Sequence, residues 1–429
     1  MPDSRYSVYG YRWVVLAVFM LVNLAIQVLW IAYAPITGPA AHFYGVTDLQ
    51  IGLLAMTFMI AFIPLSIPVS WMIDTYGFRR TVGVGSVLMA AFAILRGLAG
   101  AHYAYALACT VGLAIAQPFL MNSWTKVPAN WFPIGERATA VGLVILSSLT
   151  GVAVGMALTP ALAERFSIPA VQLIYGGVAY VAALLFVAVA REHPPTPPGP
   201  AGSEARALML DGLKHALTVP AFWLYLLVWF IGMSVFNGIS TWIENIVRPR
   251  GFGPAQAGQI GAVMLIGGIL GALIIPGLSD RQHKRQRYML LGPLLAIPGV
   301  AGLAFGITYP QLLLSAFALG FFLVSSSPVG MQYAAEITHP TPEGTSAGLL
   351  QLFGQFSVGF IFVMDAIKSK DGSFTRSLLV AMGLLAVAAL VVTRLKDSLA
   401  VVSNPQSYPP TALGTPESVG LVEDGERRP

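Results

Sequence analysis

Charge is what this sequence has least of: 10% of its 429 residues are Asp, Glu, Lys or Arg, against 56% hydrophobic. A soluble domain carries roughly a quarter charged residues, so a chain this poor in charge cannot cover a surface that faces water. Cysteine is nearly absent as well. The single one, Cys109, lies in an apolar run and excludes both a disulfide and a cysteine metal site within one chain. The six histidines, His42, His102, His193, His215, His283 and His339, fall in loops or at the ends of apolar runs. They form no H-E-x-x-H or comparable ligand pair, so no metal, no cofactor and no enzymatic chemistry is expected.

What the sequence has in abundance is long apolar runs, recurring from Trp13 almost to Val392. Each is about 18 residues or longer, enough to cross a hydrocarbon core of roughly 30 Å at about 1.5 Å per residue. Unpaired backbone groups are costly in lipid, so spans must be helices or a closed barrel, and these runs lack the period-2 alternation of barrel strands. The fold class that follows is all-α and polytopic. Apolar length, Pro/Gly breaks and charge clusters place six spans near 12–36, 50–73, 80–100, 103–126, 137–162 and 170–190. Six more follow near 221–247, 256–279, 287–308, 310–335, 344–367 and 375–394. The first run, following Arg5 and Arg12, is too long for a secretory signal and is read as a retained helix.

Between the two sets lies a Pro-rich linker containing PPTPPGP, with a short amphipathic piece around Leu208 to Leu217. The expected organisation is a first six-helix bundle over 1–190, the linker over 191–219 and a second six-helix bundle over 220–395. A polar tail over 396–429, without a periodic apolar face, is expected to be disordered. The net charge of +5 points to membrane topology rather than nucleic acid, because Lys and Arg concentrate in the loops on one side. Arg5, Arg12, Arg79, Arg80, Lys126, Arg137 and Arg191 share the side of the termini with Arg206, Lys214, Arg281, Lys284, Arg285 and Arg287. The opposite loops hold Arg165, Arg248, Arg250, Lys368, Lys370 and Arg376. Both termini are therefore expected in the cytoplasm, with the lipid bilayer as the protein's main partner.

An internal repeat supports two like halves. Ser70-Trp-Met-Ile-Asp74-Thr-Tyr-Gly77-Phe-Arg79-Arg80 follows the second run, and Gly277-Leu-Ser-Asp280-Arg281-Gln-His-Lys284-Arg285 follows the eighth. An acid at a helix end, a turn and a basic pair recur at the same place in each half. Charge-assisted bonds among these groups would form in one arrangement of the halves and break in the other, a latch. Six plus six helices, a long linker and a loop of the form G-x-x-x-D-(R/K)-x-G-R-(R/K) resemble the major facilitator superfamily. Ser70 and Thr75 depart from that motif; Asp74, Gly77, Arg79 and Arg80 match it.

A narrower resemblance lies in WIAYAPI (Trp30 to Ile36), HFYGV (His42 to Val46), MTFMIAFIPLSIPVSW (Met56 to Trp71), AQPFLMNSWTKVPANWF (Ala116 to Phe132) and EGTSAGLL (Glu343 to Leu350). These are similar to the carriers named after the feline leukaemia virus subgroup C receptor, which are linked to choline and ethanolamine uptake and to haem export. The resemblance implies that Trp30, Gln117 and Gln355 belong to a substrate site. The aromatic that it implies on the seventh helix is replaced by Asn237, with Phe236 and Trp242 beside it. The residues alone point the same way: Gln117, Asn237 and Gln355 are polar groups near the middle of apolar spans, which tend to face a cavity or another helix. Trp30 and Tyr33 lie three apart, on one face of a helix. An indole face suits a quaternary ammonium, which has no hydrogen to donate.

Together these features predict a secondary transporter of a small organic solute, choline-like by resemblance, working by alternating access as a monomer in the cell membrane. A proton-coupled carrier of an organic anion, metabolite or drug, and a membrane receptor without transport, are the alternatives. The first and fourth spans hold no midplane carboxylate for proton coupling. Glu244 and Asp365, toward the outer ends of the seventh and eleventh spans, are the coupling candidates, solvated or attracting cations, and facilitated diffusion is favoured. Arg96 is expected to snorkel at the outer end of the third span. Pro35, Pro39, Pro64, Pro68, Pro118, Pro128 and Pro160 are expected to mark bends.

Overall fold

The structure is a computed structural model and describes residues 7–198, 206–282, 284–339, 341 and 343–396. Among the described residues, 12 helices are long and apolar enough to span a membrane. In chain order they are α1 (Tyr11–Tyr44), α2 (Asp48–Tyr76), α3 (Phe78–Leu98), α4 (Tyr103–Trp131), α5 (Thr139–Ala163) and α6 (Ile168–Val189), then α7 (Pro220–Thr241), α8 (Pro254–Ser279), α9 (Arg285–Phe305), α10 (Tyr309–Ile337), α11 (Thr345–Ala366) and α12 (Thr375–Arg394). No strand occurs among the described residues. A further helix, Arg206–Thr218, lies in the linker. The expected tail beyond 396 and linker residues 199–205 lie outside the described residues, as do His283 and the side chain of Asp280.

Local chemistry starts and stops these helices. Thr47 and Gln50 form a reciprocal capping box at the start of α2, and Thr308 and Gln311 do the same for α10, each satisfying donors that a helix start leaves open. Proline breaks fewer spans than the sequence suggests: Pro64 and Pro68 lie inside the unbroken α2, and Pro160 inside the helix Ile134–Ala163 that contains α5. Neighbouring helices absorb such disruptions in a membrane bundle. The real breaks lie elsewhere. The first segment of α1 ends at Ile31 and a short helix resumes at Thr37; α4 loosens between Met121 and Lys126; α11 is interrupted between Gln355 and Val358. The seventh span, expected to run on to residue 247, stops at Thr241, and a separate short helix, Ile243–Val247, follows Trp242.

Packing gives two six-helix bundles. In the first, α1 lies against α5 and α6, α3 against α4 and α6, and α2 against α4; in the second, α8 and α9 pack on α10, and α12 on α7 and α9. The bundles meet along α5 with α8 and α2 with α11. The linker is tied at both ends. Tyr11 donates to the Val189 carbonyl at 2.7 Å and Trp131 Nε1 to the Arg191 carbonyl at 3.0 Å, while Thr341 Oγ1 donates to the Gly212 carbonyl at 3.0 Å. Its first stretch thus belongs to the first bundle and its helix to the second.

Candidate functional site

A cavity of about 1070 Å³ lies between the bundles. Its inner end is set by Trp30 and Phe58 on one side and Phe236 and Asn237 on the other; its mouth, at the linker side, includes Lys126, Arg137 and the exposed Gln332. Four of the residues singled out in the sequence, Trp30, Gln117, Asn237 and Gln355, line it. The helix breaks explain how. Trp30 is the next-to-last residue before the first segment of α1 ends, Gln117 lies one turn before α4 loosens, and Gln355 closes the first segment of α11. Discontinuous helices of this kind present backbone and side chains to a ligand at mid-membrane.

At its inner end the wall is aromatic and uncharged. Trp30 spends its indole N–H on the Ala55 carbonyl at 3.2 Å, which fixes the ring and leaves its π-surface to the cavity. Trp124 donates to Asn23 Oδ1 at 2.6 Å, and Asn237 Nδ2 to Ser357 Oγ at 2.9 Å, so that α7 is held at the break in α11. Among the described residues lining the cavity there is no carboxylate; its cations are Lys126, paired with Asp74 at 3.0 Å, and Arg137, whose Nε donates to the Phe132 carbonyl at 3.1 Å.

Tyr33 does not join this wall. The α-helix ends at Ile31, and the chain turns through Ala32 and Tyr33 into a short 3-10 helix, past the inner end of the cavity. Tyr33 is instead buried in a separate cluster with Tyr44, their hydroxyls 3.0 Å apart. Arg96 does not snorkel: it is 1% exposed, donates to the Leu29 carbonyl at 3.1 Å and sits 5.4 Å from the Tyr33 ring centroid. The break in α1 leaves last-turn carbonyls in need of donors, and the guanidinium supplies one.

On the side opposite the mouth, the bundles are sealed in two layers. The inner layer is apolar: Trp242, fully buried, donates Nε1 to the Ile361 carbonyl at 3.1 Å and packs on Gly52 of α2. A Cβ on Gly52 would come within 2.6 Å of that indole, so only glycine admits the ring. The outer layer is polar. Arg248 donates to Asp48 Oδ2 at 2.9 Å and through Nε to Glu244 Oε1 at 2.7 Å; Asn245 donates to Asp48 at 2.8 Å, and the Gly38 amide to Glu244 Oε2 at 2.9 Å. The Glu244 hydrogen bond is the main cause that raises the Arg248 pKa above its ordinary value. Glu244 is 2% exposed, so it is neither solvated nor a lure for cations; it is the hub of a contact between bundles. Asp365, its companion in the sequence reading, pairs locally with Lys368 at 2.6 Å.

The repeated loops are arranged differently from the sequence pattern. Asp74 pairs with Lys126 of α4 rather than with the exposed Arg79 and Arg80. Gly77, at φ +83°, turns the chain directly into α3, and the two following amides, Phe78 and Arg79, donate to the Glu192 carboxylate at 3.0 and 2.6 Å. In the second half, Arg285 pairs with Glu336 of α10 at 3.2 Å, while Arg281 and Lys284 are exposed. These ion pairs lie within a bundle. Sequence reasoning missed Glu192, Asp48 and Arg248. The i, i+4 spacing of Glu244 and Arg248 was the one signal available.

The comparisons with known proteins agree with this architecture. The sequence matches the Major Facilitator Superfamily over residues 13–363 and 245–413. It is 31% identical to solute carrier family 49 member A3 of Danio rerio over 389 residues, covering 87% of this chain and 82% of that protein. It is 27% identical to the choline/ethanolamine transporter FLVCR2 of Homo sapiens over 398 residues, 87% of this chain and 76% of the relative. Likewise it is 27% identical to the choline/ethanolamine transporter FLVCR1 of Mus musculus over 390 residues, 82% and 69%. Among solved structures, a bacterial homologue of the human lysosomal transporter Spinster, in an inward-facing and unoccupied conformation, superposes with a TM-score of 0.72 at 17% identity. It covers 92% of this chain and 99% of its own. Twelve spans in two bundles around a central cavity, together with these relatives, identify a membrane transporter: the chain belongs to the Major Facilitator Superfamily and is related to the FLVCR carriers.

Proposed function

We propose that this transporter carries a small choline-like organic cation across the cell membrane by alternating access, driven by the gradient of the solute itself. The observation that carries this reading is the convergence of Trp30, Gln117, Asn237 and Gln355 on one cavity whose described lining includes no carboxylate. A quaternary ammonium cannot donate a hydrogen bond, so it is held through ring faces, each worth roughly 2 kcal/mol or more when desolvated. The names of the relatives FLVCR1 and FLVCR2 point to the same class of solute. A neutral site also has no group that must take up a proton as the solute binds, which favours facilitated diffusion.

In this reading the linker side is cytoplasmic, in line with the excess of Lys and Arg there, and the described arrangement is open to the cytoplasm. Closing that side would exchange the Asp74–Lys126 and Arg285–Glu336 pairs for contacts between the bundles, the latch that the repeated loops suggest. One observation favours a second reading, an organic anion: the cations at the mouth are Lys126 and Arg137. Both already have oxygen partners, which weakens their claim on a solute.

The test is uptake of labelled choline into proteoliposomes, with ethanolamine, betaine, haem and dicarboxylates as competitors. Loss of uptake in Trp30→Ala with partial retention in Trp30→Phe supports capture on a ring face. Competition by the acids alone, or equal uptake by both variants and the parent protein, removes the cation reading.

A further inference from the structure

A second cavity, of about 220 Å³, lies on the sealed side and shares no lining residue with the central one. Its walls include Asp48 of the first bundle, Asn245 and Arg248 beyond α7, and Lys368, Asp371 and Phe374 between α11 and α12. Phe374 is 2% exposed and packs on Trp242, ring centroids 5.5 Å apart, so the apolar layer that closes the central cavity also backs this one. Because Asp48 comes from one bundle and the other walls from its neighbour, the cavity exists only while the outer side is shut.

The cations of this cavity are engaged: Arg248 by Glu244 and Asp48, Lys368 by Asp365. Its carboxylates are not. Both bonds to Asp48, from Arg248 and Asn245, fall on Oδ2, and Oδ1 has no partner among the described residues. Asp371 is exposed, makes no ion pair among the described residues, and accepts one bond, from the Ser373 amide to Oδ1 at 3.1 Å. A tight loop holds it there: the Ser369 amide donates to the Ser373 carbonyl at 2.9 Å, the Gly372 amide to the Ser369 carbonyl at 2.9 Å, and Gly372 sits at φ +81°. One open carboxylate oxygen from each bundle therefore lines the same space. A protonated primary amine has three N–H donors to offer them, whereas a quaternary ammonium has none. The volume exceeds that of a water, whose share of the liquid is about 30 Å³, and the adjoining Arg248 and Lys368 repel a second positive charge. We infer that the outer cavity is an effector site for a small protonated monoamine, which bridges Asp48 and Asp371 and holds the outer side shut. The inference does not depend on the choline-like reading of the central cavity. A ligand that binds one arrangement alone shifts the population toward it, so amines outside the membrane slow transport without entering the transport path.

Thermal melting of the full chain in detergent tests this without transport. Propylammonium chloride should raise the melting temperature saturably, propyltrimethylammonium chloride at equal concentration should not, and the rise should persist in Trp30→Ala, whose change lies in the central cavity. Asp371→Asn should abolish it, since the amide keeps the acceptor for Ser373 but lacks the charge; Asp371→Glu should restore part of it. In proteoliposomes, external propylammonium at ten times its dissociation constant should lower the open-to-sealed ratio about elevenfold. Uptake by the parent protein should fall with that ratio, while the rate of Asp371→Asn with the amine should match its own rate without it. No rise in melting temperature, equal rises with the two salts, a rise that survives in Asp371→Asn, or a rise with divalent cations in place of the amine overturns the inference. A rise lost in Trp30→Ala and kept in Asp371→Asn overturns it as well, and assigns the amine to the central cavity. Failure of the choline-like reading shows separately, as absence of choline uptake, and leaves the melting result standing.

Discussion

Replacing Arg248 by alanine should open the sealed side of the transporter. Its guanidinium holds two carboxylates of different burial: Asp48 of the first bundle, 26% exposed, and Glu244 of the second, 2% exposed. Arg248 itself is 39% exposed, so its bond to Asp48 is worth only about 0.2–1 kcal/mol after solvent screening. Glu244 is the larger factor. Without Arg248 it retains the Gly38 amide, and a buried charge deprived of its partner costs about 3–5 kcal/mol. That cost falls on the sealed arrangement alone, because separation of the bundles lets water reach the carboxylate. A difference of about 3 kcal/mol corresponds to roughly a hundredfold shift in population. The single cysteine, Cys109, is buried, so a Cys109→Ser background leaves room for spin labels at His102→Cys and Lys370→Cys, exposed positions on the two bundles at the sealed side. Electron–electron distance measurements should show a longer population in Arg248→Ala. Adding Glu244→Gln should restore the short one, since a neutral amide can still accept from Gly38 without a buried charge. An unchanged distribution in Arg248→Ala, or a double variant as open as the single one, would refute the reasoning.

Three further outcomes follow from the packing. Gly52→Val places a side chain where the Trp242 indole now lies, so labels at the same two positions should separate, and uptake should fall at least tenfold while the protein remains folded. Arg96→Met removes a buried charge for which no carboxylate partner is present among the described ion pairs. Apolar replacement of buried charges is often neutral or stabilising, so the melting temperature should hold or rise, while uptake drops because the break in α1 below Trp30 loses the donor to Leu29. Glu192→Ala strips the carboxylate from the first two amides of α3, and thermal unfolding in detergent should register a loss of about 1–2 kcal/mol, with KM for the solute unchanged.

The bundle architecture was legible because it rests on the longest-range regularity a sequence holds. A run such as Ile168–Val189 must be a helix in lipid whatever its neighbours do. Breaks within helices were less legible. Proline marks where a hydrogen bond is missing, but whether the helix breaks depends on what fills the gap: Pro64 and Pro68 leave α2 unbroken, whereas α11 parts at Phe356 and Ser357 with no proline at all. Tyr33 was misplaced for a related reason: helical spacing says which residues share a direction but not what they meet, and past the end of the cavity Tyr33 packs on Tyr44 and Arg96.

Partners across the bundle seam were beyond the reach of sequence patterns for a related reason. Glu244 sees Gly38, 206 positions away, and its bridge through Arg248 reaches Asp48 over 200; nothing in local spacing encodes such pairs. The sequence ranks Glu244 as a coupling group because a carboxylate in an apolar span is expensive, and the expense is real. It is met by Arg248 and a backbone amide at the contact that holds one side shut, so the same cost that would mark a proton carrier here sets the stability of a conformational state. A carboxylate in a gate and a carboxylate in a coupling site therefore differ not in burial but in what leaves when the partner does. At Glu244 the partner is a side chain of the same chain, released only when the bundles part.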